Sequence, residues 1–154
     1  MANAFDGDCR QLGTDAELTR RWYVDQFLAS WNRQDIAWIQ SLITDDATID
    51  DSSFPAPIVG KKAWTEAAKI LLTAFPNLRY EFVDGPYMHP ERPAAIFVYR
   101  MKATMTGPLG RKPATGREVD IRSMELLEFR DGQVFRDFHR ADMADMMRQL
   151  GLGK

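Results

Sequence analysis

The stretch from Glu118 to Asp142 constrains the fold most, because it reads as two long strands joined by a tight turn. The turn falls at Asp131-Gly132, and Asp-Gly is among the strongest short-range hairpin signals, since glycine adopts positive φ without steric cost. Successive side chains on a strand point to opposite faces. The sequence therefore predicts a long antiparallel hairpin near the C-terminus.

With a one-residue bulge at the turn, three cross-strand pairs are predicted on one face: Glu125 with His139, Leu127 with Asp137, and Phe129 with Phe135. This face is apolar near the turn and ionisable further along the strands. A carboxylate and an imidazole on the same face are candidates for proton-transfer chemistry. The opposite face, with Met124, Arg136 and Phe138, is mixed, so alternation alone does not determine which face is the inner one.

Length and composition indicate one globular domain. Of the 154 residues, 45% are hydrophobic and 11% are aromatic, which is too apolar for a disordered protein. Residues 1–13 are polar and include two glycines, so we predict a flexible tail there and a single domain over 14–154. A net charge of −2 with mixed signs gives no electrostatic argument for binding nucleic acid.

The sequence also predicts a cytoplasmic protein with no membrane partner. No apolar run approaches the roughly 20 residues that a membrane-spanning helix needs. The N-terminal residues lack the basic start and apolar core of a secretory signal. The single Cys9 cannot form an internal disulfide, which fits a reducing compartment.

The spacing of apolar residues and helix breakers predicts the order of the elements. Helices are predicted over 14–32, from 35 onward and over 61–74, then strands over 78–83 and 94–106, the hairpin, and a helix over 142–150. A short strand is predicted near 45–51, and an irregular segment over 52–60, where two prolines lie. Three helices followed by antiparallel strands indicate an α+β domain, whose curved sheet would leave a cavity for a ligand.

Local signals predict where some of these elements begin and end. Thr14 opens a capping-box pattern and is predicted to lie at the start of the first helix. Asp142 suits the N-cap of the last helix. The sequence Asp84-Gly-Pro86 is predicted to end the first strand after the helices.

Two parts of the chain resemble known families. Residues 35–51 resemble the helix-to-strand passage of the nuclear-transport-factor-2-like superfamily, which includes ketosteroid isomerase. Residues 113–117, 126–134, 142 and 148–151 resemble the closing pattern of SnoaL-like polyketide cyclases. The resemblance implies a cone-shaped α+β barrel, with three N-terminal helices packed on a strongly curved, mixed but mostly antiparallel sheet and a short C-terminal helix. It also implies a homodimer formed through the outer face of the sheet.

The resemblance also implies roles for individual residues. Ketosteroid isomerase has its general base at the position of Asp51, and its two oxyanion donors, a tyrosine and a protonated aspartate, at those of Phe27 and Glu125. SnoaL-like cyclases use a histidine and, fourteen residues later, an aspartate, and here these positions hold Glu125 and His139. The residue types are exchanged while the spacing is kept, so we take the face that also carries Asp137 as the inner one.

Two sets of site residues are predicted. The catalytic residues are His139, Glu125, Asp51 and Asp137. The substrate-binding residues are Phe27, Tyr23, Phe54, Trp64, Tyr99 and Leu127. In a mostly apolar cavity, a carboxylate and an imidazole would each favour the charged form of the other and could pass a proton near neutral pH. Simpler interpretations stay open: the aromatic residues could be core, the pair could only stabilise the sheet, and the acid on the first strand could be solvated.

The predicted function is a cofactor-independent cyclase or isomerase that acts on a hydrophobic, oxygenated, polyketide-like molecule of natural-product biosynthesis. No metal-ligand spacing and no phosphate-binding glycine pattern occurs, so no metal or cofactor is predicted. A non-catalytic small-molecule-binding or assembly module of the same fold is the alternative. A further alternative is an epoxide hydrolase similar to limonene epoxide hydrolase, whose arginine and two aspartates would correspond to Arg122, Asp120 and Asp137.

Overall fold

The computed structural model describes residues 4–153, and its helices pack on a six-stranded sheet. The first helical segment begins as α1 (Ala16–Trp22), widens into a π-helical stretch (Tyr23–Leu28) and ends as α2 (Ala29–Asn32). The other helices are α3 (Ile36–Ser41), α4 (Lys61–Ala74) and α5 (Met143–Leu150). Over residues 4–153, no helix combines the length and the apolar character needed to span a bilayer.

The sheet is mixed but mostly antiparallel. Its strands are β1 (Ile43–Asp51), β2 (Ile58–Val59), β3 (Arg79–Met88), β4 (Ala94–Thr104), β5 (Glu118–Arg130) and β6 (Gln133–Ala141). They lie in the order β2-β1-β6-β5-β4-β3, and β1 runs parallel to β6 while the other neighbours are antiparallel. The predicted α+β class and sheet type are confirmed. The sheet of the described residues does not close into a barrel, since β2 and β3 are its two edges.

The predicted hairpin register is confirmed along its ionisable part. Glu125 pairs with His139, and Leu127 pairs with Asp137. At the Asp131-Gly132 turn, φ is 52° and 79°. Two successive positive φ values match the twist of the flanking strands, so this turn holds the two strands in one register.

The prediction for the part nearest the turn is wrong. Phe129 pairs with Val134 instead of Phe135, because Phe135 is the extra residue of a bulge within β6. Val134 is therefore buried on the inner face. Phe135 instead lies beneath the guanidinium of Arg130, whose Cζ is 5.1 Å from the ring centroid.

The N-cap of α1 differs by one residue from the prediction. The Oδ1 atom of Asp15 accepts a hydrogen bond from the backbone N–H of Leu18 at 3.1 Å. The hydroxyl of Thr14 instead donates to the carbonyl of Gln11 at 3.0 Å. A carboxylate is both a good N-cap acceptor and favourable beside the positive end of the helix dipole, which explains why the aspartate takes this position.

Three other local predictions have different outcomes. Asp142 does cap α5, since its Oδ1 accepts a hydrogen bond from the N–H of Asp145 at 2.9 Å. The predicted end of β3 at Asp84 is wrong, because the strand absorbs its irregular residues as a bulge and pairing resumes at Tyr87. The segment over 52–60 is mostly irregular, but it contains the two residues of β2.

The core fills the space between the helices and the inner face of the sheet. Tyr23 is fully buried, and its ring stacks on that of Phe97 with 3.8 Å between the centroids. Leu12 is also part of this core and is only 1% exposed. The C-terminal end of the segment predicted as a tail therefore packs against the core. The flexibility of residues 1–13 stays a prediction, and residues 1–3 lie outside the described residues.

Candidate active site

Two adjoining cavities lie between the helices and the sheet. The inner one, here called the inner chamber, has a volume of about 110 Å³. Its polar lining residues are Asp51, Ser53, Tyr80, Tyr99, Ser123, Glu125, Asp137 and His139. The outer one, here called the vestibule, has about 380 Å³ and mostly apolar walls from α4, α5 and the loop before β5. Leu71, Met143 and Met146 line both cavities. A ligand in them would meet polar groups deep inside and apolar groups nearer the surface.

Asp51 and His139 meet because β1 runs parallel to β6 and places them in register. The carboxylate Oδ2 lies 3.1 Å from the imidazole Nδ1, and the two side chains are only 18% and 12% exposed. Nδ1 has no well-aligned hydrogen bond, so this contact is an off-axis ion pair. Ser53 orients the carboxylate, since its backbone N–H and its hydroxyl donate to Oδ1 at 2.7 and 2.6 Å.

The other imidazole nitrogen of His139 faces a tyrosine. The hydroxyl of Tyr99 lies 2.5 Å from Nε2. A neutral imidazole with its proton on Nδ1 would accept a hydrogen bond from Tyr99 at Nε2. The imidazole of His139 therefore contacts Asp51 at one nitrogen and Tyr99 at the other.

The pKa values of Asp51 and His139 are displaced in opposite directions. Burial raises the pKa of Asp51, but the contact with His139 and the hydrogen bonds from Ser53 outweigh burial, so this pKa lies below its usual range. Burial lowers the pKa of His139, but the nearby Asp51 outweighs it, so the pKa lies above the usual 6.5. Each group thus stabilises the charged form of the other.

Two further carboxyl groups, those of Glu125 and Asp137, also line the inner chamber. The hydroxyl of Tyr23 donates a hydrogen bond to Oε1 of Glu125 at 2.6 Å. Asp137 is 5% exposed, and its Oδ1 has no hydrogen-bond partner among the described residues. Burial and the neighbouring Glu125 raise the pKa of Asp137 well above its usual value. Asp137 therefore favours the protonated acid, which can donate a hydrogen bond.

The structure brings all four predicted catalytic residues to the inner chamber: His139, Glu125, Asp51 and Asp137. Glu125 and His139 lie opposite each other on the sheet, but the contacts described above are with different partners. The sequence reasoning did not include Ser53. A serine two residues after an aspartate is a common turn pattern in which the carboxylate accepts local hydrogen bonds, and this signal could have identified it.

Most residues predicted to bind substrate lie at the two cavities. Phe27, Trp64 and Tyr99 line the inner chamber, and Phe54 lines the vestibule. Tyr23 is buried and reaches the chamber only through its hydrogen bond to Glu125. Leu127 is fully buried in the core and lines neither cavity, so its role in substrate binding stays a prediction.

The residues of the epoxide-hydrolase alternative do not come together. Asp120 forms an ion pair with Arg100, and both side chains are substantially exposed. Arg122 is also exposed, because residues 120 and 122 point away from the inner face that carries Asp137. Alternation along β5 therefore separates this arginine and this aspartate from the inner chamber.

No metal centre is formed by the described residues. Within 4–153, no group of three or more histidine, cysteine, aspartate or glutamate side chains is placed to hold a metal ion. The acids of the inner chamber instead contact tyrosine, serine and histidine side chains. The absence of a cofactor stays a prediction.

The α+β fold is shared by several solved structures. One is a protein from Jannaschia sp. CCS1, a proposed SnoaL-like polyketide cyclase, with 19% identity and a TM-score of 0.69 over 90% of this chain and 92% of that one. Another, from Catenulispora acidiphila, is described by its ketosteroid isomerase-like fold, with 15% identity and a TM-score of 0.69 over 84% and 92%. AclR from Streptomyces galilaeus, a proposed hydroxylase, has 22% identity and a TM-score of 0.69 over 86% and 96%. At these identities the likeness concerns the fold alone.

The sequence itself identifies the family. The model of the SnoaL-like polyketide cyclase family matches residues 20–150, and the chain therefore belongs to this family. No curated protein matches the chain in sequence. The predicted family is confirmed.

Proposed function

We propose that this protein is an acid–base enzyme, a cyclase or isomerase that acts on a hydrophobic, oxygenated small molecule. The observation that carries the proposal is the contrast between two carboxyl groups of one chamber. Asp51 has a lowered pKa beside His139, while Asp137 has a raised pKa in a buried position. Groups whose environments displace their pKa values in opposite directions are typical of paired acids and bases in active sites.

In the proposed reaction, His139 removes a proton from a carbon next to a carbonyl group. Asp51 stabilises the imidazolium that forms, as a carboxylate does beside a catalytic histidine. The Tyr99 hydroxyl, now 2.5 Å from Nε2, gives up this contact when the substrate carbon approaches. Protonated Asp137 donates a hydrogen bond to the carbonyl oxygen, on which negative charge develops.

The electrons of the broken C–H bond become those of an enolate, and two outcomes follow from it. In an isomerisation, the imidazolium returns its proton to a different carbon. In an aldol-type cyclisation, the enolate carbon attacks a second carbonyl of the same molecule, and the new alkoxide takes the proton. Both outcomes balance without an oxidant or reductant. The mostly apolar walls of the vestibule support a hydrophobic substrate.

The test is proton exchange at carbon. Aromatic ketones such as tetralone would be incubated with the protein in deuterium oxide, and loss of the α-proton signal would be followed by NMR. We expect exchange above the uncatalysed rate, and a loss of about tenfold or more in His139→Ala. His89→Ala is the matched control, because His89 lies outside the chamber. Equal exchange in His139→Ala and wild type would refute the role of His139. Ligand binding without exchange would favour the alternative of a non-catalytic binding module.

A further inference from the structure

We propose that the vestibule binds the anionic end of an elongated, apolar ligand, and that Lys112 is the cation that recognises it. This proposal deepens the proposed function. It rests on that function only in placing the oxygenated end of the ligand in the inner chamber. The ligand class is a free small molecule that carries a carboxylate or a similar anion at the end away from the reacting carbon.

Lys112 is held at the rim of the vestibule by a local turn. Its backbone N–H donates to the carbonyl of Leu109 at 3.1 Å, and the Leu109 N–H donates back to its carbonyl at 2.9 Å. The Nζ atom lies 3.7 Å from the thioether of Met147, which is a weak acceptor. Within residues 4–153, no carboxylate pairs with this ammonium group, whereas Lys61 and Lys69 both have acidic partners. The Lys112 charge is therefore available to a ligand.

The two ends of the combined cavity differ in charge. Glu125 and Asp137 line the inner chamber alone, whereas Asp51 lines both cavities and has His139 as its partner. An anion placed in the inner chamber would be repelled by any of these carboxyl groups that is ionised, since like charges at short range are unfavourable in a partly buried site. Lys112 is the one basic residue among the described residues that line the vestibule. Charge therefore orients an anionic ligand with its anion outward and its neutral oxygens inward.

The walls between the two ends select an apolar body. Met143 and Met146 line both cavities, and Met147 adds a third methionine beside Lys112. Methionine side chains are flexible and polarisable, so they adapt to ligands of different shape. Leu71 and Ile70 extend this apolar wall along α4. A ligand that spans both cavities must therefore have an apolar middle section.

The experiment uses two fluorescent probes with one ring skeleton. Anilinonaphthalene sulfonate carries an anion, and phenylnaphthylamine lacks it. Both would be titrated into wild type, Lys112→Met, Lys112→Arg and Lys62→Met. Lys62 is the matched control, because it is a lysine of α4 that does not line the vestibule. NMR of methyl-labelled methionine would locate each probe.

We expect Lys112→Met to weaken sulfonate binding by about threefold to fivefold, the size of an exposed ion pair. Binding of the neutral probe should stay unchanged, Lys112→Arg should restore the affinity, and added salt should reduce the difference. Signals of Met143, Met146 and Met147 should move when either probe binds.

Four results would each overturn the proposal. These are equal losses for both probes, the same loss in Lys62→Met, probe binding that leaves the three methionine signals unmoved, and no measurable binding of the sulfonate. The readout is binding, so it does not depend on catalysis. If His139→Ala leaves proton exchange intact while Lys112→Met still discriminates the probes, the proposed function fails and the anion site stands.

Discussion

Replacing Asp51 with asparagine would test the ion pair on which the proposed chemistry depends. Asparagine keeps an amide oxygen for the two hydrogen bonds from Ser53, so the change removes mainly the charge that faces His139. A hydrogen bond or close contact to a charged group contributes about 1.5–3 kcal/mol, and both side chains are largely shielded from water. We therefore expect Asp51→Asn to lower the free energy of unfolding by about 1.5–3 kcal/mol while the imidazole is charged.

The pH dependence follows from the direction of the pKa shift. The pKa of His139 in the folded protein lies above the unfolded value of 6.5, because Asp51 outweighs burial. The stabilisation is thus fully present below about pH 6.5 and is lost as the pH rises through the folded pKa. In Asp51→Asn, burial still lowers the pKa of His139, and only the smaller effects of Glu125, which raises it, and Arg140, which lowers it, remain. The pKa of His139 should therefore fall below 6.5.

Two measurements check the predicted loss of stability and the predicted fall in the pKa of His139. Urea unfolding of wild type and Asp51→Asn at about pH 6 and about pH 9 gives the stability difference, which should shrink at the higher pH. An NMR titration of His139 gives its pKa, with the His89 signal as the internal reference. Asp50→Asn is the matched control, because Asp50 contacts Arg140 instead. A pH-independent difference, or a pKa of His139 that stays above 6.5 in Asp51→Asn, would refute the reasoning.

Four further predictions follow from the buried groups and the outer surface. Tyr23→Phe removes a buried 2.6 Å hydrogen bond and should cost about 1–3 kcal/mol in urea unfolding, so an unchanged stability would contradict that contact. Leu127→Ala should cost about 2–5 kcal/mol, because the side chain is fully buried, and Leu126→Ala on the outer face should cost less; equal costs would argue against this placement. The pKa of Asp137 is raised above 3.8, so folded stability falls as the pH rises past that value, and Asp137→Asn should unfold thermally with a weaker pH dependence; an identical dependence would contradict the buried acid. The outer face exposes Met124 by 50%, and we expect sedimentation to show a homodimer; a lone 17.6 kDa species would exclude it.

Sequence patterns were sufficient for the elements whose signals are local. The Asp131-Gly132 turn set the register that places Glu125 opposite His139, because both turn residues adopt positive φ. Near the turn, the sequence predicts that Phe129 pairs with Phe135, whereas the bulge in β6 makes Val134 its partner. Whether Val134 or Phe135 turns inward depends on packing against the core, which strand alternation does not contain.

The first helical segment contains a feature that the sequence pattern does not predict. Regular helical spacing does not anticipate the π-helical stretch Tyr23–Leu28, where the chain changes its rotation about the helix axis. Phe27 and Tyr23 both face the interior there, and their rings stack with 5.6 Å between centroids. The sequence comparison aligned Phe27 with the oxyanion tyrosine of ketosteroid isomerase, yet Tyr23 is the residue that reaches Glu125.

The sequence by itself determined the α+β class and, through short motifs shared with known families, the family and the inner hairpin face, since turn chemistry and such motifs are local properties of the chain. The tertiary structure decided which ionisable side chains lie together. Asp51 reaches His139 only because β1 and β6, far apart in sequence, pair in parallel. The opposite pKa shifts of Asp51 and Asp137 likewise follow from burial and neighbouring charges, which exist only once the helices have covered the sheet.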